Sequence, residues 1–165
     1  KEIVEHLLNN ATWAPTHGNT QPWRFKVFMG ESRSKLSNKL GDLYKKNTPK
    51  ELFKDEKFEK IIARPFLSSV SIVICMERGG NEKIPEIEEI EAVACAVQNM
   101  CLTATAYGIG SFWSSPKIIY NNEMNTFLKL KEKDKCLGVL YLGYPSIEWP
   151  KGQRKPIEYI TDWNE

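Results

Sequence analysis

The sequence predicts an α+β fold, a central sheet flanked by helices. Three observations predict it. Short runs of strand length occur at 23–29, 69–76 and 136–142, rich in aromatic and β-branched residues. Longer segments between them carry apolar residues at helical spacing. The two kinds of segment follow one another through 165 residues with no repeat, no low-complexity stretch and no dividing linker. A chain of that length is expected to bury one sizeable core as a single domain.

Ile3, Val4, Leu7, Leu8 and Ala11 predict a first helix over 2–12, stopped by Pro15. Trp23 to Met29 alternates and predicts a strand. Gly30-Glu31-Ser32 turns the chain, and Ser32 is placed to cap a helix carrying Leu36, Leu40, Leu43 and Tyr44. Asn47-Thr48-Pro49 breaks that helix. Residues 50–62 are charged around Leu52, Phe53, Phe58, Ile61 and Ile62, which predicts a helix or a helix-rich lid ended by Pro65. Ser69 to Met76 is almost continuously apolar, as a buried strand is.

Pro85 then starts the longest helix, about 86–107, since proline is tolerated in a first turn. Ile87, Ile90, Val93, Ala94, Val97, Cys101 and Ala104 form one stripe. Ala92, Ala96, Met100 and Ala106 widen it, so this helix belongs in a core or an interface. Gly108 and Gly110 close it. A short helix over 121–130 follows, capped by Asn121 or Asn122, then the strand Cys136 to Leu142. The tail from Trp149 to Pro156 is turn-rich and basic, and 157–163 is expected to add a last short element.

Composition narrows the function classes. Apolar residues make up 41% and charged residues 27%, ordinary for a soluble domain. The formal charge of +2 is small, and its charges interleave, as in Lys54-Asp55-Glu56-Lys57; neither points to nucleic acid. No apolar run is long enough to cross a membrane, and Lys1 to His6 reads as an amphipathic helix rather than a signal peptide. Cys75, Cys95, Cys101 and Cys136 sit in apolar surroundings without C-x-x-C spacing, so they are expected as buried free thiols in a reducing cytoplasm. With only His6 and His17 present, no metal site is expected. There is no G-x-G-x-x-G opening a helix, no P-loop and no G-x-S-x-G elbow, which disfavours Rossmann dehydrogenases, P-loop enzymes and serine hydrolases. The cluster Glu86, Glu88, Glu89 and Glu91 reads as a solvated acidic first turn complementing the helix dipole.

The segment Ala14-Pro15-Thr16-His17-Gly18-Asn19-Thr20-Gln21-Pro22-Trp23 carries the chemistry. It sets mixed donors and acceptors, Thr16, His17, Asn19 and Gln21, in a loop between a helix and a strand. A flavin offers a line of donors and acceptors at N1, O2, N3, O4 and N5, and such a loop suits it.

That segment resembles the nitroreductase family, whose A-P-x-x-x-N-x-Q-P-W precedes a strand; His17 is similar to the small single-domain subgroup. "IEAVACAVQNMCLTATAYGIGSFWSS" resembles the family's long central helix followed by G-x-G-x-x-W. "DKCLGVLYLGYP" is similar to its strand ending in G-x-P, and "GQRKPIEYI" to its basic tail. The resemblance implies a mostly antiparallel sheet flanked by helices and a homodimer built around the long helix, with two FMN sites at the interface. It implies that Pro15, Thr16, His17, Asn19 and Gln21 lie near the flavin, with Trp113, Ser114 and Ser115 on its other side. Arg154 matches the residue that grips the FMN phosphate, with Lys151 or Lys155 assisting. Trp13 is expected at the rim or in the core.

The implied activity is oxidation of NADH or NADPH through FMN, with reduction of a small-molecule electron acceptor in ping-pong order and no dedicated catalytic side chain. A flavin-binding protein without turnover, or another flavin-dependent reduction on the same scaffold, are the alternatives. The family's R-R-S-x-R, ahead of its first helix, has no counterpart before Lys1-Glu2-Ile3, so an N-terminal family segment is expected to be missing.

Overall fold

The computed structural model describes residues 1–149 and 151–164. Four strands, β1 (Trp23–Met29), β2 (Val70–Met76), β3 (Gly110–Ser114) and β4 (Lys135–Gly143), form one sheet in the order β1-β2-β4-β3, antiparallel throughout. The helices are α1 (Glu2–Ala11), α2 (Arg33–Asn47), α3 (Asp55–Ala63), α4 (Glu86–Ala106) and α5 (Asn122–Leu128). The antiparallel, helix-flanked sheet matches expectation.

The sheet is covered on both faces. Val4, Leu7 and Ala11 of α1 and Val93, Ala96, Val97 and Met100 of α4 pack on Ile72, Ile74, Leu140 and Leu142. Leu36, Leu40 and Leu43 of α2 and Met124 and Leu128 of α5 pack on Val73, Cys75, Cys136, Val139 and Tyr141 on the opposite face. β2, inside the sheet and buried at every position, therefore shows no alternation. Helices α1 and α4 run antiparallel, joined by Asn10 Nδ2 donating to Thr103 Oγ1 at 2.9 Å and by His6 Nδ1 against Tyr107 Oη at 2.6 Å.

The predicted stops hold with some changes of detail. Gly108, at φ 69°, ends α4: its N–H donates to Thr105 O at 2.9 Å and that of Ile109 to Ala104 O at 2.8 Å, the paired bonds of a Schellman motif. Asn121 caps α5 by accepting from the Glu123 N–H at 2.7 Å. Ser32 sits at the N-cap of α2, but its hydroxyl is spent on the N–H and C=O of Met29 and does not cap. Residues 50–62 divide into a single 3-10 turn, Lys50–Leu52, and α3. Gly41 is required on α2 because a Cβ there would lie 2.8 Å from Ile62 Cγ2. Among its described residues the tail adds only a 3-10 turn, Ile157–Tyr159, and lies largely exposed.

Two expectations fail. Cys75 and Cys136 are buried, but Cys95 is exposed and Cys101 half-buried. Cys95 falls on the outward stripe of α4 with Ile87, Gln98 and Leu102, which none of the described residues covers. Glu89 is not a solvated first-turn carboxylate: it is 1% exposed, because its position on α4 faces the chain that leaves β2. Among the described residues no helix is long and apolar enough to cross a membrane, and no group of His, Cys, Asp and Glu is placed to hold a metal.

Candidate functional site

The polar loop between α1 and β1 is held in a costly backbone. Gly18, Asn19 and Gln21 have φ of 56°, 53° and 45°. For Asn19 and Gln21 that costs on the order of 1 kcal/mol each. The loop's own side chains offset the cost. Thr16 Oγ1 meets Thr20 Oγ1 at 2.9 Å and accepts from the Gln21 N–H at 3.2 Å. Gln21 Nε2 donates to Asn19 Oδ1 at 2.8 Å, and Arg24 donates to Gln21 O at 3.0 Å. His17 Nδ1 meets Glu88 Oε2 at 2.5 Å and ties the loop to the first turn of α4.

A second device supports it from behind. Buried Glu89 accepts from Arg78 NH1 at 2.5 Å and from the Gly79 N–H at 3.0 Å. Arg78 NH2 donates to Ile84 O at 2.6 Å. The Ile84 side chain then fills the space beside Gly18, where a Cβ would lie 2.9 Å from Ile84 Cδ1. The loop therefore rests on a chain segment pinned by a buried ion pair.

The end of β3 forms the other half of the site. The register of β1, β2, β4 and β3 places the start of β1 and the end of β3 toward the same end of the sheet. They lie on its two opposite edges, three strand spacings or about 14 Å apart. Alternation splits the predicted triplet. Trp113 lies on the α4 side over Gly138, where a Cβ would lie 2.2 Å from Trp113 Nε1. Ser115 donates to Leu137 O at 3.0 Å. Ser114 faces the α3 side and lines a cavity of about 210 Å³.

That cavity has apolar walls, Leu40, Ile61, Pro116 and Ile118, and a rim of Lys57, Lys60 and Arg64. Lys60 is paired with Glu56, and the Lys57 ammonium lies over the Tyr44 ring. Arg64 stacks over Phe112, 5.3 Å from the ring centroid, and its NH1 reaches Ser114 Oγ at 3.4 Å. Tyr141 lines the cavity at 8% exposure, and its hydroxyl has no hydrogen-bond partner among the described residues. Burial pushes its phenol up to about 12, against a nearby Arg64 charge that lowers it, so the hydroxyl stays a donor.

The Nitroreductase family profile matches residues 1–144. The chain belongs to the nitroreductase family. YdjA of Escherichia coli K12 is 29% identical over 147 residues, covering 89% of this chain and 78% of YdjA. A nitroreductase-like family protein from Bacillus cereus superposes with TM-score 0.82 at 28% identity, over all of this chain and 85% of that one. A Desulfovibrio desulfuricans protein solved in complex with FMN superposes with TM-score 0.70 at 23% identity, over 99% and 85%, a likeness of fold.

Within this nitroreductase fold the predicted residues are only partly assembled. Thr16, His17, Asn19 and Gln21 form one braced loop with Pro15 exposed beside them, but their side chains bond one another or Glu88. Trp13, at 86% exposure, is not core. Arg154 lies in the exposed tail, bonded only to Gln153 O among the described residues, and is not brought to either half-site. The sequence reading missed Arg64 and Tyr141. Arg64 looks like one more cation on a charged helix, and Tyr141 like one more apolar strand position; only the strand pairing beside Ser114 joins them.

Proposed function

We propose that this chain is an FMN-dependent NAD(P)H oxidoreductase that works as a homodimer on a small-molecule acceptor. The cavity at the end of β3 carries the reading. An apolar slot with one guanidinium, one serine hydroxyl and one phenol at its wall fits a flat ring with a polar, charge-accumulating edge. Bound FMN would supply the redox chemistry, taking hydride from NADH or NADPH and passing reducing equivalents to the acceptor in a second half-reaction.

The side chains of the chain would do the positioning. Arg64 would hold a positive charge against the N1–C2=O2 edge, where negative charge collects on reduction. Tyr141, a phenol protonated at neutral pH, and Ser114 would donate hydrogen bonds to the same polar edge. Leu40, Ile61, Pro116 and Ile118 would exclude water. Arg154, with Lys151 or Lys155, would take the phosphate, where a guanidinium pairs bidentately, once pairing of two protomers carries the tail to the site.

The braced loop Pro15–Gln21 and the β3 end, on opposite edges of one sheet, are too far apart to grip one ring system. A two-fold pairing would bring the loop of one protomer to the β3 end of its partner. The uncovered Ile87 and Leu102 of α4, with Trp13 beside Leu102, and Tyr159, Ile160 and Trp163 of the tail supply apolar surface for that pairing.

The test is a visible spectrum followed by anaerobic titration with NADPH and NADH. Oxidised-flavin bands that bleach with either nucleotide are expected. A protein that cannot be loaded with FMN refutes the reading. Arg64→Gln should slow bleaching and weaken FMN binding about tenfold or more, and Arg64→Lys, which keeps the charge but loses the planar guanidinium over Phe112, should recover only part of both.

A further inference from the structure

The strand pair β2/β4 contains a device that the flavin reading does not use. Ile74 pairs with Gly138, and the next pair is Cys75 with Cys136, so Leu137 has no partner. The consequence is directional. With regular pairing Cys75 would oppose Leu137, and Cys136 would point to the α4 face with Gly138. The bulge turns Cys136 over, so both thiols enter the α2/α5 core side by side. Directly paired residues of an antiparallel sheet have Cα atoms about 4.5–5.5 Å apart, within disulfide reach. Cys75 Sγ also lies 4.0 Å from Val73 O.

Cys136 also has an opening. It lines a cavity of about 260 Å³ at the start of β4, whose other walls include Tyr120, Asn122, Asn125, Glu132 and Lys135. Cys136, 2% exposed, borders this polar space, whose volume accommodates water or a small hydroperoxide. Cys75 lies behind Cys136, fully buried, and does not line the cavity. We propose that Cys136 and Cys75 are a thiol–disulfide couple, with Cys136 the sulfur that meets a hydroperoxide and Cys75 the sulfur that resolves it.

Bonds from the Cys75 thiol and the Gly138 backbone hold the Cys136 thiol below its usual range, while the same contact and burial push Cys75 up. Cys136, the one of the two that lines the cavity, is the sulfur placed to meet an oxidant. In the first step its sulfur attacks one peroxide oxygen, the O–O bond breaks, Cys136 becomes a sulfenic acid and hydroxide leaves, taking up the thiol proton as water. In the second, the Cys75 sulfur attacks the sulfenic sulfur, the S–O bond breaks, and a second water carries off the hydroxyl with the Cys75 proton. Two thiols give two electrons to one peroxide.

The experiment treats the folded, pre-reduced full chain with equimolar hydrogen peroxide, blocks remaining thiols with N-ethylmaleimide under denaturing conditions, and maps peptides. The expected product joins the β2 and β4 peptides through Cys75–Cys136, lacks two hydrogens, and reverts with dithiothreitol. Cys75→Ser should leave a Cys136 sulfenic acid that dimedone captures, and Cys136→Ser should leave Cys75 fully alkylatable. Cys95→Ser should not change the yield of the linked peptide. Oxidation confined to Cys95 or Cys101, with Cys75 and Cys136 both alkylated in the wild-type chain, overturns the proposal. Every readout is on thiols, so it is independent of whether the chain binds FMN.

Discussion

Replacing Glu89 by alanine tests how the loop is supported. Glu89 is 1% exposed and the Arg78 side chain 12% exposed, so removing the carboxylate strands a guanidinium in a largely dry site. It also removes the acceptor of the Gly79 N–H. Breaking a buried ion pair by deleting one partner costs about 3–5 kcal/mol. At roughly 2–4 °C per kcal/mol for a domain of this size, the melting temperature should fall by on the order of 10 °C. The assay is thermal unfolding by circular dichroism, with urea unfolding as a second measure. The double variant Arg78→Met/Glu89→Leu, which buries no charge, should recover at least half of the loss. Because Arg78 also holds Ile84 against Gly18, Glu89→Ala should loosen the loop near Gly18 and raise amide exchange at 17–21. A melting temperature within about 2 °C of wild type would refute the reasoning. So would a double variant as unstable as the sum of its singles.

Gly138→Ala places a methyl group 2.2 Å from Trp113 Nε1 at φ 146°, and should destabilise the chain by about 1–3 kcal/mol while displacing Trp113. Tryptophan fluorescence and denaturant unfolding report both effects. Tyr141 should ionise near 12 in a spectrophotometric titration of the folded protein. A raised phenol makes its stability contribution fully present below about pH 10, and that contribution is lost as pH rises toward 12. The window is worth on the order of 2 kcal/mol and should vanish in Tyr141→Phe. Leu102→Glu, on the uncovered face of α4, should convert the proposed dimer into a monomer in sedimentation while leaving the helical circular dichroism unchanged.

The sequence makes the elements legible wherever local chemistry decides them. The β2 run, the α4 stripe and the Gly108 stop are set by burial periodicity and by one residue tolerant of positive φ, and each lies where expected. What stays illegible depends on pairing between distant segments. Glu89 looks like its neighbours Glu86 and Glu88 until Arg78, leaving β2, is seen to end against it. Ser114 and Ser115 look equivalent, yet strand alternation sends one into the cavity and the other to Leu137 O. Cys136 reads as an ordinary buried thiol because Gly138, a glycine inside a strand, hints at a bulge but does not say which side chain the bulge turns over.

The loop was legible as chemistry but not as mechanics. Its polar side chains suggested groups offered outward to a ligand; in the folded chain most are spent on each other and on Glu88. That expenditure has a physical purpose. Two non-glycine residues in the left-handed region do not stay there unaided, and each internal bond offsets a share of the strain. With the side chains so engaged, what the loop presents is a fixed backbone. A fixed backbone aims its amide donors without paying an ordering cost when a ligand arrives. On the proposed reading, then, this loop contributes to flavin binding mainly through preorganised amides. Substituting Asn19 or Gln21 with alanine should therefore weaken binding through lost loop order, visible as faster amide exchange at 17–21, rather than through a lost side-chain contact. Equal loss of affinity with unchanged exchange would place the side chains themselves on the ligand.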